Sequence, residues 1–80
     1  MKIAAIKKLA ETHTADELFA AEHCIMNEEQ PAIEVEGDDE GEQLTHILAA
    51  IWVKEDMLLN GSDLRTAIRR YSEKVRNSIN

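Results

Sequence analysis

The run from Glu42 to Asn60, EQLTHILAAIWVKEDMLLN, is the longest apolar stretch of the chain, and its spacing is helical. At about 100° per residue, Leu44, Ile47, Leu48, Ile51, Trp52, Leu58 and Leu59 share one wide arc. An ordinary surface helix is polar on its far side, but here Ala49, Ala50, Val53 and Met57 occupy much of it. A helix apolar on both sides is either central in a bundle or shared with a second chain. With 80 residues, the chain has few other helices to cover both faces. The expectation is therefore a homodimer, paired through a secondary face formed by His46, Ala50, Val53 and Met57. On that face His46 is an interface residue whose protonation would modulate association.

Glu55 interrupts the main arc, between Ile51 and Leu59. A lone buried carboxylate is costly, so it must be paired, protonated or at a rim. Glu55 is the candidate buried charge. Either it is a tuned acid or, more commonly, it pairs with an arginine of the last helix or sits at a helix end that reaches water.

A chain of 80 residues makes one small domain, residues 1–80. Such a domain hides only about 60% of its unfolded surface, and oligomerisation is a common supplement to its stability. Phe19, Trp52 and Tyr71 are the only aromatics, so Leu, Ile, Val, Ala and Met must build the core. A net charge of −7 opposes non-specific binding to nucleic acid or an anionic membrane. No apolar run reaches the length of a membrane span. The opening MKIAAIKKLAE has neither a long apolar region nor a small-residue cleavage site. One cysteine allows no intrachain disulfide. These features point to the cytoplasm.

Lys2 to Thr12 places Ile3, Ile6, Leu9 and Ala10 on one helical face, although the β-branched start also suits an extended opening. Thr14-Ala15-Asp16-Glu17 has the form of a capping box and starts a second helix that runs to about Asn27, with Leu18, Ala21 and Ile25 inward. The acidic connection EEQPAIEVEGDDEG follows, with Pro31 as a helix stop. Within it, Ile33 and Val35 alternate with Glu34 and Glu36 as a short strand would. Gly61 is a natural left-handed cap for the central helix. Ser62 reads as the next N-cap, with Asp63 in the first turn. Leu64, Ile68, Tyr71, Val75 and Ile79 form the seam of a last helix. The fold class is all-α: a small four-helix, bundle-like domain with a short extended, β-like acidic segment between helices 2 and 3.

Charge is divided along the sequence. Glu28 to Glu42 holds eight acids and no base, whereas Ser62 to Asn80 holds five bases and two acids. Arg65, Arg69 and Arg76 lie along one side of the last helix and form a candidate stripe for an anion or an acidic partner. The plainer reading turns them toward the chain's own acids or solvent. The stripe lacks interleaved aromatics and the molecule is acidic, which argues against nucleic acid. His13, His23, Cys24 and His46 fit no metal-ligand spacing, so no metal and no cofactor is expected. Cys24 reads first as a half-buried small hydrophobe and second as a redox thiol. No Gly-rich phosphate loop, nucleophile elbow or calcium loop is present in the sequence.

Glu34-Val35-Glu36-Gly37, Asp39-Glu40-Gly41-Glu42, Leu44-Thr45-His46, Ala49-Ala50-Ile51-Trp52 and Val75-Arg76-Asn77-Ser78 together resemble a family of small bacterial proteins of unknown function. The resemblance covers nearly the whole length. It implies a short cytoplasmic helical protein with no assigned activity, and an association with thioredoxin and peroxiredoxin neighbours. Cys24 lies outside the stretches that carry it, and it supplies no catalytic residue. The function expected is a non-catalytic structural or regulatory module that self-associates through the central helix, with a further protein partner docking on the acidic loop or the arginine stripe. The alternatives are a thiol-redox accessory using Cys24 and an anion or nucleic-acid binder using the arginine stripe.

Overall fold

In the computed structural model, residues 2–78 form four helices joined by short turns and one longer connection. They are α1 (Ile3–Thr12), α2 (Ala15–Met26), α3 (Glu40–Asn60) and α4 (Leu64–Ser78). No strand occurs among the described residues. Ile79, expected at the end of the last seam, lies outside them.

The Glu42–Asn60 run is the organising rod, and it starts two residues earlier than expected, at Glu40. The Asp39 carboxylate accepts the Glu42 N–H at 2.8 Å, which satisfies one of the free donors of the first turn. At the other end Gly61 takes the left-handed conformation, φ 66°. α3 packs against α1, α2 and α4, and α1 also touches α4. α1 runs parallel to α3. The Lys2 N–H donates to His46 Nε2 at 2.9 Å at one end, and Lys54 Nζ donates to the Ala10 carbonyl at 3.0 Å at the other. α4 runs antiparallel, with Tyr71 beside Trp52 and Arg70 beside Asp56.

The inward phase of α3 differs from the one its large residues suggest. Ile47, Ala49, Ala50, Ile51 and Val53 are buried with Ile6, Leu9, Leu18, Ala21, Ile25 and Ala67. The expected dimer face is thus the centre of the core. His46, Ala50 and Val53 are fully enclosed by the chain's own helices, and Met57 is half-buried. Small side chains at Ala49 and Ala50 let neighbouring backbones come close, so three short helices suffice to wrap this side. By contrast Leu48, Leu58 and Leu59, all assigned to the main arc, are exposed. Glu55 shares their side and is exposed as well. The buried carboxylate is its neighbour, Asp56.

Two local expectations also change. Asp63, not Ser62, caps α4: its carboxylate accepts the Thr66 N–H at 2.8 Å and its carbonyl accepts from Ala67. Its pKa is lowered, chiefly by that Thr66 N–H. The Ile33–Glu36 segment pairs with no strand among the described residues. Its alternation is real, because Ile33 and Val35 pack half-buried on the core while Glu34 and Glu36 stay exposed. They pin a connection rather than build a sheet.

Candidate functional site

Turning α3 so that Val53 points inward leaves Leu48, Trp52, Glu55 and Leu59 along the outward side, a helical stripe at i, i+4, i+7 and i+11. Leu59 is 77% exposed and the adjacent Leu58 83%. Trp52 is half-buried because Tyr71 of α4 packs against it, with ring centroids 5.5 Å apart and planes tilted by 56°. Burial raises the Tyr71 phenol pKa above its usual value of 10.0.

Asp56 sits at the edge of this stripe, where α3 meets α4. One oxygen, Oδ1, accepts from Asn60 Nδ2 at 2.8 Å and lies 3.6 Å from Arg70 Nε. The second distance is an ion pair but too long for a hydrogen bond. Arg70 divides itself further, placing Nη1 at 3.5 Å from Ser62 Oγ. The other oxygen, Oδ2, is buried and has no hydrogen-bond partner. A buried carboxylate ordinarily needs several donors, so this one is under-satisfied. Trp52, Glu55, Asp56, Leu59 and Asn60 line a shallow hollow of about 180 Å³. A second, apolar groove on the neighbouring side is lined by Ala15, Lys54, Glu55, Met57 and Leu58.

The other sequence candidates do not converge on this place. Arg65, Arg69 and Arg76 are exposed on α4. Arg65 and Arg69 lie near Asp63 and help to lower its pKa, and Arg65 also rims a groove with Ile3, Lys7, Leu64 and Ile68. Cys24 is half-buried in a small depression with Glu17, Ala20, Ala21, Ala32 and Ile33. His46 spends both ring nitrogens on backbone groups, Nε2 on Lys2 and Nδ1 on the Glu36 carbonyl at 2.7 Å. Among the described residues no three His, Cys, Asp or Glu side chains cluster as a metal site. No helix among them is long and apolar enough to cross a membrane.

Asp56 and Arg70 were not singled out from the sequence. The signal that finds them is the phase of the small residues. Once Ala49 and Val53 are set inward, Asp56 falls beside them at i+7 and i+3. Asn60 then follows Asp56 at i+4, a hydrogen-bonding spacing.

Over residues 1–80 the sequence matches a family described as a family of unknown function, DUF6952. The chain belongs to that family. No curated protein and no solved structure is significantly similar to it. Family membership covers the whole chain, as the motif resemblance implied, and brings no activity with it. What this family member does must be argued from the outward face of α3.

Proposed function

We propose that the protein is a non-catalytic interaction module of the bacterial cytoplasm that docks a protein partner on the outward face of α3. One observation carries this reading: two adjacent leucines, Leu58 and Leu59, stand 83% and 77% exposed on the same helix as the half-exposed Trp52, the chain's one tryptophan. Contiguous apolar surface of this kind marks contact sites, whereas scattered single residues do not. The buried histidine supports the non-catalytic part, since both its nitrogens are engaged in holding backbone. Self-association, originally expected through Val53 and its neighbours, would have to use this outward face instead. The depression at Cys24 offers an acid and apolar groups, none of which activates a thiol.

The test compares the parent with a Leu58→Ser/Leu59→Ser double variant, each immobilised and exposed to extract of the source cells at low salt. The expected result is a stoichiometric protein retained by the parent and lost by the variant. Sedimentation of both proteins at micromolar concentration identifies a second copy as that partner if the parent alone dimerises. Equal retention by both, or a monomeric parent that retains nothing, overturns the reading.

A further inference from the structure

The hollow beside Leu59 is more specific than an apolar patch. Its lining combines Trp52, the exposed acid Glu55 and the buried acid Asp56, with Asn60 and Leu59 alongside. Asp56 is only 6% exposed, and its Oδ2 accepts no hydrogen bond. Its cationic neighbour reaches it once, through Nε at 3.6 Å, and is itself about half exposed. The Asp56 charge is thus incompletely compensated, and together with exposed Glu55 it gives the open hollow beside it a negative character without direct contact to the sealed Oδ2.

We propose that this hollow receives the cationic head group of an arginine or lysine from a protein partner, while Leu58 and Leu59 engage apolar residues on either side of it. This rests on the outward face of α3 being the docking surface, and it names the partner's chemistry. A cation over an indole is drawn by the ring's negative face, and nearby carboxylates add charge complementarity. The volume of about 180 Å³ is well above the roughly 10–15 Å³ that admits one water, which leaves room for a side-chain terminus. The helical spacing of Leu48, Trp52, Glu55 and Leu59 suits an amphipathic helix laid along it, read out at i, i+4 and i+7. A second copy of this chain is a poorer occupant. Two copies would each bring a net charge of −7, and that mutual repulsion favours a basic partner over self-pairing.

Trp52 is the chain's one tryptophan, so its emission reports the hollow directly. The probe is an acetylated, amidated alanine-based helical peptide with leucines at i and i+7 and an arginine at i+4. Its twin carries citrulline, which keeps the shape of arginine and removes the charge. The arginine peptide is expected to change Trp52 emission saturably, with an affinity at least about tenfold above the citrulline twin and falling with added salt. Glu55→Gln is expected to weaken the arginine peptide and leave the twin unchanged. Leu59→Ser is expected to weaken both. Both positions are exposed, so these variants keep the fold, which far-UV circular dichroism checks. Equal affinity for the two peptides overturns the cation site while leaving the docking face standing. No saturable change with either peptide up to millimolar concentration also overturns the cation site. So does a micromolar dimer of the parent that Leu59→Ser dissolves, because the second copy would then occupy the stripe.

Discussion

His46 shows how much a single position can fix. A backbone N–H can only donate and a carbonyl can only accept. Nε2 faces the Lys2 N–H, so it must be the bare nitrogen. Nδ1 faces the Glu36 carbonyl, so it must carry the proton. The ring is therefore neutral in its Nδ1–H form, and a second proton on Nε2 would confront the Lys2 donor. Long-range proton–nitrogen correlation spectra near neutral pH are expected to show His46 protonated at Nδ1 alone; the opposite tautomer would mean that one of the two bonds is absent. The same geometry makes the residue a clasp, since it joins the start of α1 to the connection before α3. His46→Leu would fill the space and strand both backbone groups. At about 1–3 kcal/mol for each buried polar group left unpaired, and with both sites only partly buried, the expected loss is about 2–3 kcal/mol in urea denaturation. The sequence placed His46 on the side with Ala50 and Val53, and that placement was right. Its role was not legible there, because both partners are backbone groups distant in sequence and carry no side-chain signature.

α2 displays the same contrast between its two ends. Its start was legible because a capping box is a four-residue pattern with a mechanism: Thr14 Oγ1 accepts from the Glu17 N–H at 3.2 Å, and Glu17 Oε1 accepts from the Thr14 N–H at 2.9 Å. Those bonds favour the charged acid, led by the Thr14 backbone donor, and lower the Glu17 pKa below its ordinary 4.5. A carboxyl whose folded pKa is depressed adds stability above its unfolded pKa and loses it as pH falls through the folded one. The difference in melting temperature between the parent and Glu17→Gln should accordingly hold above 4.5 and close as the pH is taken below it. A gap that stays constant on acidification would show that the ionised side chain is not what stabilises the cap. The end of α2 was less legible. The chain leaves the helix before Pro31 through a Schellman motif, in which the Glu29 N–H reaches the Cys24 carbonyl at 2.7 Å and the Glu28 N–H reaches Ile25 at 3.0 Å. That motif usually announces itself with a glycine, but here Glu28 holds φ 60°. Glu28→Gly is expected to stabilise the protein by about 0.5–1 kcal/mol, because relief of the left-handed strain outweighs the added freedom of the unfolded chain. An unchanged or lower melting temperature would place the strain elsewhere.

For the molecule as a whole, α3 packs on each of the other three helices, so the two sides of this rod should answer mutation in opposite ways. The Glu42–Asn60 run was recognisable as central because it is apolar all round. Its orientation was not, because bulk draws attention to Leu48, Leu58 and Leu59 while close packing selects Ala49, Ala50 and Val53. The site inherited that ambiguity: the expected phase made Glu55 the buried charge, whereas the acid that the core encloses is Asp56. Val53 is 0% exposed and Leu59 77%, which makes them the natural pair to separate the alternatives. Val53→Ala removes two buried methyl groups and leaves a void in the core, at an expected cost of about 2 kcal/mol. In a domain of this size that is a drop in melting temperature of roughly 8–16 °C. Since each of the other helices uses α3, far-UV dichroism and Trp52 emission should fall together in one transition. Leu59→Ser, on the open side, should stay within about 0.5 kcal/mol of the parent. Melting curves in which Leu59→Ser is the more damaging of the two would reverse the orientation of α3, returning Leu59 to the interior and removing the docking face with it.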